Sequence, residues 1–313
     1  MQSQHVADLL ERFHPGLEVE LVICRTTGDS FTDRSLADIG GKGLFTKELE
    51  EAVLDGRIDF AVHSMKDVPV TMPLVEQSDL IIAAVPERED PRDVLVSIGA
   101  SELRELPIRA RVGTSSLRRR SQLLAKRPDL IVEELRGNID TRMKALRQGR
   151  FDAIVVAAAG LRRSAMYDGH VVRPLAESDV LPAAGQGALA LQCRRDNVRT
   201  KALLSVLEDR ATRECVELER SVVAALDGNC HSPIGAYAHQ FGGLVELRAA
   251  VGSRGGLPPV VRARARGNKQ NPDAVIEDTL NQLRERGAMG GCHLARPFMA
   301  IKEERKVSHV LIA

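Results

Sequence analysis

Tryptophan is absent from the 313 residues, and two tyrosines and seven phenylalanines are the other large aromatics. Aromatic side chains form the platforms on which single-stranded nucleic acids stack, so we do not expect a nucleic-acid partner. An excess of one charge is also missing, since 44 Lys and Arg stand against 43 Asp and Glu. No global field therefore attracts nucleic acid or a membrane surface, and any basic site must arise from local clustering of arginine.

Long apolar runs are missing as well. None approaches the roughly 18 residues that cross a bilayer, and the first residues lack the basic and apolar regions of a secretory signal. The five cysteines are widely spaced and never form a C-x-x-C pair: Cys24, Cys193, Cys215, Cys230 and Cys292. We therefore expect no disulfide framework and no metal, and we predict a cytoplasmic protein without a membrane contact.

The chain is long enough for two or three domains. From residue 17 to about 190, short apolar runs alternate with helical stretches, which predicts α/β domains with mostly parallel sheets. We predict strands at 17–24, 58–62, 80–85, 93–96, 110–112, 130–134 and 152–157, and helices at 46–54, 116–126, 140–148 and 158–164.

Two segments are candidate hinges between these domains. The charged, proline-bearing segment 86–92 reads as an exposed connection, and the small residues of 182–187 let the chain cross back. After Arg213, a helix at 214–226, strands at 234–239, 245–251 and 260–266, and a helix at 274–286 predict a small antiparallel α+β domain. The expected domains are 1–85 with 187–207, 86–186, and 208–313.

The segment 112–119 is a candidate anion site. It follows a predicted strand and opens a helix, so backbone N–H groups and hydroxyls converge on the helix N-terminus. Arg118 and Arg119 oppose the helix dipole there, which is easier to understand if they bind a carboxylate-rich ligand. A solvated basic helix face with a serine cap is the alternative.

Other charged residues follow neighbouring strands. Arg136, Arg142 and Arg163 lie beyond the next two strands, and ligands of open α/β sheets bind at that edge. One pocket for several carboxylates is therefore predicted. Asp67 follows the strand at 58–62, where a carboxylate can hydrogen-bond a ligand N–H and stabilise positive charge. The alternative is a turn residue paired with Lys66.

Cys230 lies on a short loop, Gly-Asn-Cys-His-Ser-Pro at 228–233. A thiol on such a loop, beside a histidine, is a candidate for covalent attachment, whereas most lone cysteines are small buried hydrophobes. The glycine-rich segment 40–45 lacks the spacing of a nucleotide-binding loop, and we interpret it as a mobile flap.

Six sequence blocks carry a family resemblance. They are HSMKDVP (63–69), EREDPR (87–92), VGTSSLRR (112–119), LRGN (135–138), AGQGA (184–188) and Cys230 with Pro233. In this order they resemble the signature blocks of the hydroxymethylbilane synthase family. The resemblance extends from about residue 1 to about 286, and the tail after Gly287 matches nothing in that family.

The resemblance implies a fold and an activity. The implied fold has two periplasmic-binding-protein-like α/β domains with a cleft between them, plus a small C-terminal α+β domain with a three-stranded antiparallel sheet. The implied protein is a monomeric transferase that condenses four molecules of porphobilinogen, with loss of ammonia, into linear hydroxymethylbilane for haem biosynthesis. Its cofactor is a dipyrromethane.

The resemblance also implies roles for individual residues. Asp67 matches the catalytic carboxylate, Cys230 the covalent anchor, and Lys42 and Phe45 the flap. The matches to cofactor ligands are Lys66, Ser64, Thr114, Ser116, Arg118, Arg119, Arg136 and Arg163. The matches to substrate ligands are Arg118, Arg136, Arg142 and Gln186.

One departure and two alternatives accompany the resemblance. The family begins with a strand and an Arg-x-Ser-x-Leu-Ala turn, whereas residues 1–10 already lie inside the first helix, so we expect domain 1 to lack its first strand. One alternative is a non-catalytic protein of the same fold that binds polycarboxylates. The other is an inactive, truncated relative.

Overall fold

The structure, a computed structural model, describes residues 1–24, 47–70, 79–229, 231–289 and 293–294. The helices are α1 (Gln2–Phe13), α2 (Lys47–Leu54), α3 (Leu117–Lys126), α4 (Ile139–Arg147), α5 (Ala158–Arg163), α6 (Val198–Ser205), α7 (Arg210–Ala225) and α8 (Pro272–Glu285). The strands are β1 (Phe60–Ser64), β2 (Leu80–Ala84), β3 (Asp93–Ser97), β4 (Arg111–Gly113), β5 (Ile131–Glu133), β6 (Ala153–Ala157), β7 (Val172–Pro174), β8 (Leu189–Arg194), β9 (Ile234–Phe241), β10 (Leu244–Val251), β11 (Val261–Asn268), β12 (Ala288–Met289) and β13 (His293–Leu294).

The first sheet has the described strand order β1-β8-β2, and both pairings are antiparallel. The central strand β8 is almost entirely buried, with Leu189 and Leu191 packed against Val6 and Leu10 of α1. This apolar run follows the glycine-bearing segment 182–187 directly and was not predicted as a strand.

The second sheet has the order β5-β4-β6-β3-β7. Its central strands are buried on both faces, because alternate residues pack into two different clusters. Ile154 and Val156 of β6 join one cluster, and Ala153 and Val155 join the other. Strands covered on both faces read as continuous apolar runs, which is why the sequence predicted β3 and β6 correctly.

The expectation of mostly parallel sheets is wrong. Among the strands that the structure describes, only β4 pairs in parallel, with β5 and β6, whereas β3 is antiparallel to β6 and β7. The chain passes from the first sheet to the second at residues 86–92, the first crossing, and returns to the first sheet at residues 182–187, the second crossing. Neighbouring parallel strands need a helical crossover between them, and neither β3 nor β8 is preceded by one. The two crossings therefore set the strand directions.

The predicted strand at 17–24 is also wrong. Leu17 and Val19 pack against the core of the first sheet, but the segment forms no strand and the side chain of Ile23 is 92% exposed. Among the described residues, β1 pairs with β8 alone. A β-branched sequence without a neighbouring strand has no partner for its backbone groups, so local propensity does not decide its structure.

The segment 86–92 is not the exposed connection that its charges suggest, because Glu87 is its one exposed residue. The Arg88 guanidinium donates to the carbonyl of Gln186 (2.8 Å) and to the carboxylate of Glu219 (2.6 and 3.1 Å). Glu219 also accepts from the backbone N–H of Gly185 at 2.7 Å. The two crossings are thus packed together and held by one residue of α7.

The third sheet is an antiparallel meander, β11-β10-β9, covered on one face by α7 and α8. Its core contains Val222, Leu247 and Leu283, each fully buried. This confirms the predicted C-terminal α+β architecture and, with the two α/β sheets, the predicted fold class. The short strands β12 and β13 lie beyond the last predicted helix and were not predicted.

Candidate active site

Residues from all three sheet regions surround one cleft that is open to solvent and has a volume of about 220 Å³. Its lining includes Lys66, Asp67, Val68 and Val70 after β1; Ser115, Ser116, Arg118, Arg119 and Arg142 from the second sheet; Ala183, Ala184 and Gln186 of the second crossing; and Arg220, Val223, Asn229, Ser232 and Ile234 from the C-terminal region.

Asp67 ends a short 3-10 turn, Met65–Asp67, that follows β1. Met65 and Val68 are buried beneath this turn, whereas Asp67 is exposed at the cleft. Gly185 packs closely against Met65, and a Cβ at position 185 would lie 2.7 Å from the Met65 Cγ. The turn is therefore wedged between the first sheet and the second crossing.

The N-terminus of α3 supplies hydroxyl groups. The Ser116 Oγ accepts the Arg119 N–H at 3.4 Å and caps the helix, and the Thr114 Oγ1 accepts the Ser116 N–H at 3.3 Å. The Ser115 Oγ is buried and has no hydrogen-bond partner within the described structure. Because a buried hydroxyl without a partner is unfavourable, Ser115 is suited to a bound polar ligand, although the sequence singled out its two neighbours.

Asp93 organises the arginines and was missed by the sequence analysis. Its carboxylate accepts from Arg118 Nη1 (2.6 Å), Arg119 Nε (2.9 Å) and Nη2 (2.7 Å), and Gln186 Nε2 (2.9 Å). Burial would raise the pKa of Asp93, but the charges of Arg118 and Arg119 outweigh it and hold the pKa well below its usual range. Both arginines are buried, so the alternative of a solvated helix face is wrong.

Positive charge remains in excess around the cleft. Burial lowers the pKa of Lys66, an effect that nearby Asp67 opposes and Arg119 reinforces. Burial and the charge of Arg119 likewise lower the pKa of Arg142 to about 10, against the opposing charge of Asp67. Cations that repel one another at short range are stabilised by bound anions, so the cleft is built for a polycarboxylate.

Four predicted ligands do not line the cleft. Thr114 is buried behind α3, and the Ser64 hydroxyl accepts from Gln2 Nε2 at 2.8 Å. The Arg136 Nε donates to Glu134 at 3.2 Å, and the Arg163 Nη2 donates to the carbonyl of Gly187 at 2.7 Å. Their roles stay predictions. Lys42, Phe45 and Cys230 lie outside the described residues.

Two further properties concern the described ranges alone. Within them, no three His, Cys, Asp or Glu side chains are grouped as the ligands of a metal ion would be. None of the helices in the same ranges combines the length and apolarity needed to span a bilayer.

Family models match nearly the whole chain. The model "Porphobilinogen deaminase, dipyromethane cofactor binding domain" matches residues 1–202, and "Porphobilinogen deaminase, C-terminal domain" matches residues 213–284. The chain belongs to the porphobilinogen deaminase family. It is a transferase that condenses porphobilinogen stepwise into hydroxymethylbilane in tetrapyrrole biosynthesis, and its cofactor is a dipyrromethane. The family resemblance is confirmed, which favours the enzyme over the non-catalytic binder.

Similar proteins include two named "Porphobilinogen deaminase". One, from Xanthomonas axonopodis pv. citri (strain 306), is 47% identical over 92% of each chain. The other, from Stenotrophomonas maltophilia (strain R551-3), is 48% identical over 92% of this chain and 93% of its own. Among solved structures, a periplasmic substrate-binding protein of an ABC transporter from Coxiella burnetii is 16% identical, with a TM-score of 0.40 over 68% of this chain and 89% of its own. A TM-score of 0.40 is low, so the fold assignment rests on the helices and strands described above and not on this likeness.

The cleft fits a dipyrromethane. The acetate and propionate groups of such a cofactor match the guanidinium and ammonium groups of the lining. The Ser115 Oγ and the Gln186 Oε1 are both buried, and in the described structure neither has a hydrogen-bond partner. The amide oxygen is a suitable acceptor for a pyrrole N–H, and the hydroxyl is a suitable donor to a carboxylate.

Proposed function

We propose that Asp67 is the catalytic carboxylate of this porphobilinogen deaminase. The observation that carries the proposal is that Asp67 lines the same cleft as Arg118, Arg119 and Arg142 and is the one acidic residue in its described lining. A ligand held by those cations through its carboxylates places its pyrrole N–H groups toward Asp67. The carboxylate then accepts these N–H groups and stabilises the positive charge that develops as ammonia leaves porphobilinogen.

The cationic side chains hold the acidic groups of cofactor and substrate. We assign cofactor binding to Lys66, Ser64, Thr114, Ser116, Arg118, Arg119, Arg136 and Arg163, and substrate binding to Arg118, Arg136, Arg142 and Gln186. Asp93 keeps Arg118 and Arg119 ordered, so that little side-chain entropy is lost when they bind. When bound, the dipyrromethane supplies the free pyrrole α-carbon to which the first substrate unit is joined.

Cys230 is the proposed anchor, through a thioether. Its neighbours Asn229 and Ser232 line the cleft. Their loop is hydrogen-bonded internally, with the Ser232 N–H donating to the Asn229 carbonyl at 3.0 Å and the His231 N–H to the Asn229 Oδ1 at 2.9 Å. Flanking residues that are held in this way at the edge of the cleft are a suitable support for a covalent cofactor.

The three proposed domains comprise 1–85 with 187–207, 86–186, and 208–313. Each contains one of the three main sheets, and residues of all three contribute to the described lining of the cleft. We therefore propose that the protein acts as a monomer, which light scattering during size-exclusion chromatography tests. A thiol that forms a thioether must stay reduced, which supports a cytoplasmic location.

Intact-mass spectrometry with a turnover assay tests the roles of Asp67 and Cys230. The wild-type protein should carry the mass of a dipyrrole, and Cys230→Ser should lack it. Asp67→Asn should keep the adduct yet lose at least about 100-fold in kcat, the usual size of a lost charged catalytic group. Asp55→Asn, at an exposed aspartate paired with Arg57, is the matched control and should keep the normal rate.

Each other outcome contradicts part of the proposal. A near-normal kcat for Asp67→Asn excludes its catalytic role. A dipyrrole adduct on Cys230→Ser excludes Cys230 as the anchor. Wild-type protein that carries no adduct and takes none up from porphobilinogen identifies the chain as an inactive relative.

A further inference from the structure

Arg220 connects the third domain to the turn that carries Asp67. It lies on α7 and lines the cleft. Its Nη1 donates to the carbonyl of Val68 at 2.9 Å and of Met65 at 3.4 Å, and its Nη2 donates to the carbonyl of Pro69 at 2.7 Å. One guanidinium thus binds the backbone on both sides of Asp67.

The turn has little structure of its own. Within it, the Val68 N–H donates to the Met65 carbonyl at 3.2 Å, and a 3-10 turn of three residues is a weak element. Backbone carbonyls that are removed from water need hydrogen-bond donors. Arg220 donates to the carbonyls of Val68 and Pro69, which follow the turn, and at a longer distance to that of Met65, which also accepts the Val68 N–H.

The geometry commits Arg220 to the protein backbone. Both terminal nitrogens already donate to backbone carbonyls, so Arg220 is held against the segment that carries Asp67. The part of α7 that carries Arg220 is also held in place, because the neighbouring Glu219 binds Arg88 and the Gly185 N–H. The α7 helix is therefore a firm support for the turn.

We propose that Arg220 is a positioning residue, which holds the Asp67 turn at the distance from the cleft that each condensation step requires. The inference rests on the proposed catalytic role of Asp67. Catalytic groups are sensitive to placement, and a displacement of about 1 Å lowers a rate by as much as about 100-fold. Loss of the Arg220 contacts therefore lowers kcat more than it raises KM.

The test compares Arg220→Gln and Arg220→Lys with Arg213→Gln in the cofactor-loaded enzyme. Arg213 is a matched control, because it also lies on α7 and donates to a first-sheet carbonyl, that of Ile82 at 3.3 Å, but does not line the cleft. We expect Arg220→Gln to lower kcat about 10- to 100-fold with a KM change below about 3-fold. Arg220→Lys, which retains one cationic donor group, should recover part of that loss, and Arg213→Gln should stay within about 2-fold of the normal kcat.

A second readout is the ladder of covalent intermediates, resolved by intact mass during a single exposure to porphobilinogen. Slower conversion at every added ring, with the dipyrrole still loaded, supports positioning. A raised KM with normal kcat assigns Arg220 to substrate binding instead and overturns the inference. Equal losses in Arg220→Gln and Arg213→Gln also overturn it, since both then act through stability.

The double variant Asp67→Asn, Arg220→Gln separates the two proposals. If Arg220 acts through Asp67, the second substitution adds less than about 2-fold to the loss from Asp67→Asn alone. Fully multiplicative losses contradict the inference and leave the role of Asp67 intact. Near-normal turnover of Asp67→Asn contradicts the proposed function itself, whatever Arg220 does.

Discussion

Arg88 and Glu219 form a buried ion pair, with 2.6 Å between Arg88 Nη1 and Glu219 Oε1 and 3.1 Å between the second nitrogen and oxygen. The same carboxylate accepts the backbone N–H groups of Gly185 (2.7 Å) and Ala238 (2.9 Å). Glu219 therefore joins the first crossing, the second crossing and β9. Burial opposes the charge on Arg88, but Glu219 outweighs this and raises the pKa of the guanidinium.

Removal of the Glu219 charge should destabilise the whole protein. We expect Glu219→Gln to lower the free energy of unfolding by about 3–5 kcal/mol, because Arg88 is then buried without a counter-ion. Urea unfolding followed by circular dichroism measures the change. Glu217→Gln is the matched control on the same helix, since Glu217 is 64% exposed and 3.9 Å from Arg213, and we expect it to cost less than about 1 kcal/mol. A Glu219→Gln loss as small as that of the control contradicts the role of this ion pair.

The second crossing should not tolerate a side chain at position 187. Gly187 has a φ of +89°, and a Cβ there would lie 2.3 Å from the carbonyl oxygen of Glu89. Gly187→Ala combines backbone strain with a backbone clash, so we expect a loss above about 3 kcal/mol, measured as urea unfolding. Gly149→Ala is the control for strain alone, with φ +69° and no atom within 4 Å of the added Cβ, and should cost about 1–2 kcal/mol. If both variants lose the same free energy of unfolding, the backbone of the second crossing moves to make room for the added Cβ, and the predicted clash is contradicted.

The sequence predicted elements whose determinants are local. The start of α3 follows from Ser116, whose side chain caps the helix, and β6 follows from a continuous apolar run. The strand at 17–24 failed because strand formation depends on a neighbour, which periodicity does not reveal. The antiparallel directions of β3 and β8 depend on the crossings, which are a property of the whole chain.

The sequence indicated the arginines of the cleft but not the residues that pair with them or hold the neighbouring backbone. Arg118, Arg119 and Arg142 follow strand ends, and topology alone brings such residues to one edge. Asp93 is 25 residues from Arg118, and no local pattern indicates that pairing. Arg220 lies on α7, 152 residues along the chain from Val68, and side-chain spacing in the sequence does not reveal a contact with backbone carbonyls.

Ser115 should affect ligand binding without affecting the fold. Ser115 lines the cleft, and its hydroxyl is buried and lacks a partner in the described structure, so Ser115→Ala removes no existing hydrogen bond. We expect KM for porphobilinogen to rise about 2- to 10-fold, the value of one hydrogen bond, with unfolding free energy unchanged within about 0.5 kcal/mol. Ser116→Ala removes the helix cap instead and should cost about 1 kcal/mol of stability. An unchanged KM for Ser115→Ala contradicts a ligand contact at this hydroxyl.

Asp93 should make stability depend on acid pH. Burial raises the pKa of Asp93, but Arg118 and Arg119 outweigh this effect, so its pKa is lower in the folded protein than the value of about 3.9 in the unfolded chain. Below about pH 3.9 the unfolded chain therefore binds a proton at this carboxylate more readily than the folded protein does. The stabilisation is complete above that value and is lost as the pH falls through the folded-state pKa. Asp93→Asn should therefore cost about 3–5 kcal/mol near pH 7, and this difference from wild type should shrink below about pH 4.

Urea unfolding of wild type and Asp93→Asn at pH 7, 5, 4 and 3 measures that difference. The comparison cancels the titration of the other carboxylates, because both proteins contain them. Asp59→Asn, at an exposed position just before β1, serves as the control and should change stability by less than about 0.5 kcal/mol at pH 7. A difference for Asp93→Asn that stays constant from pH 7 to pH 3 shows that the arginines are held by shape and neutral hydrogen bonds, and that the charge of Asp93 contributes little to their order in the cleft.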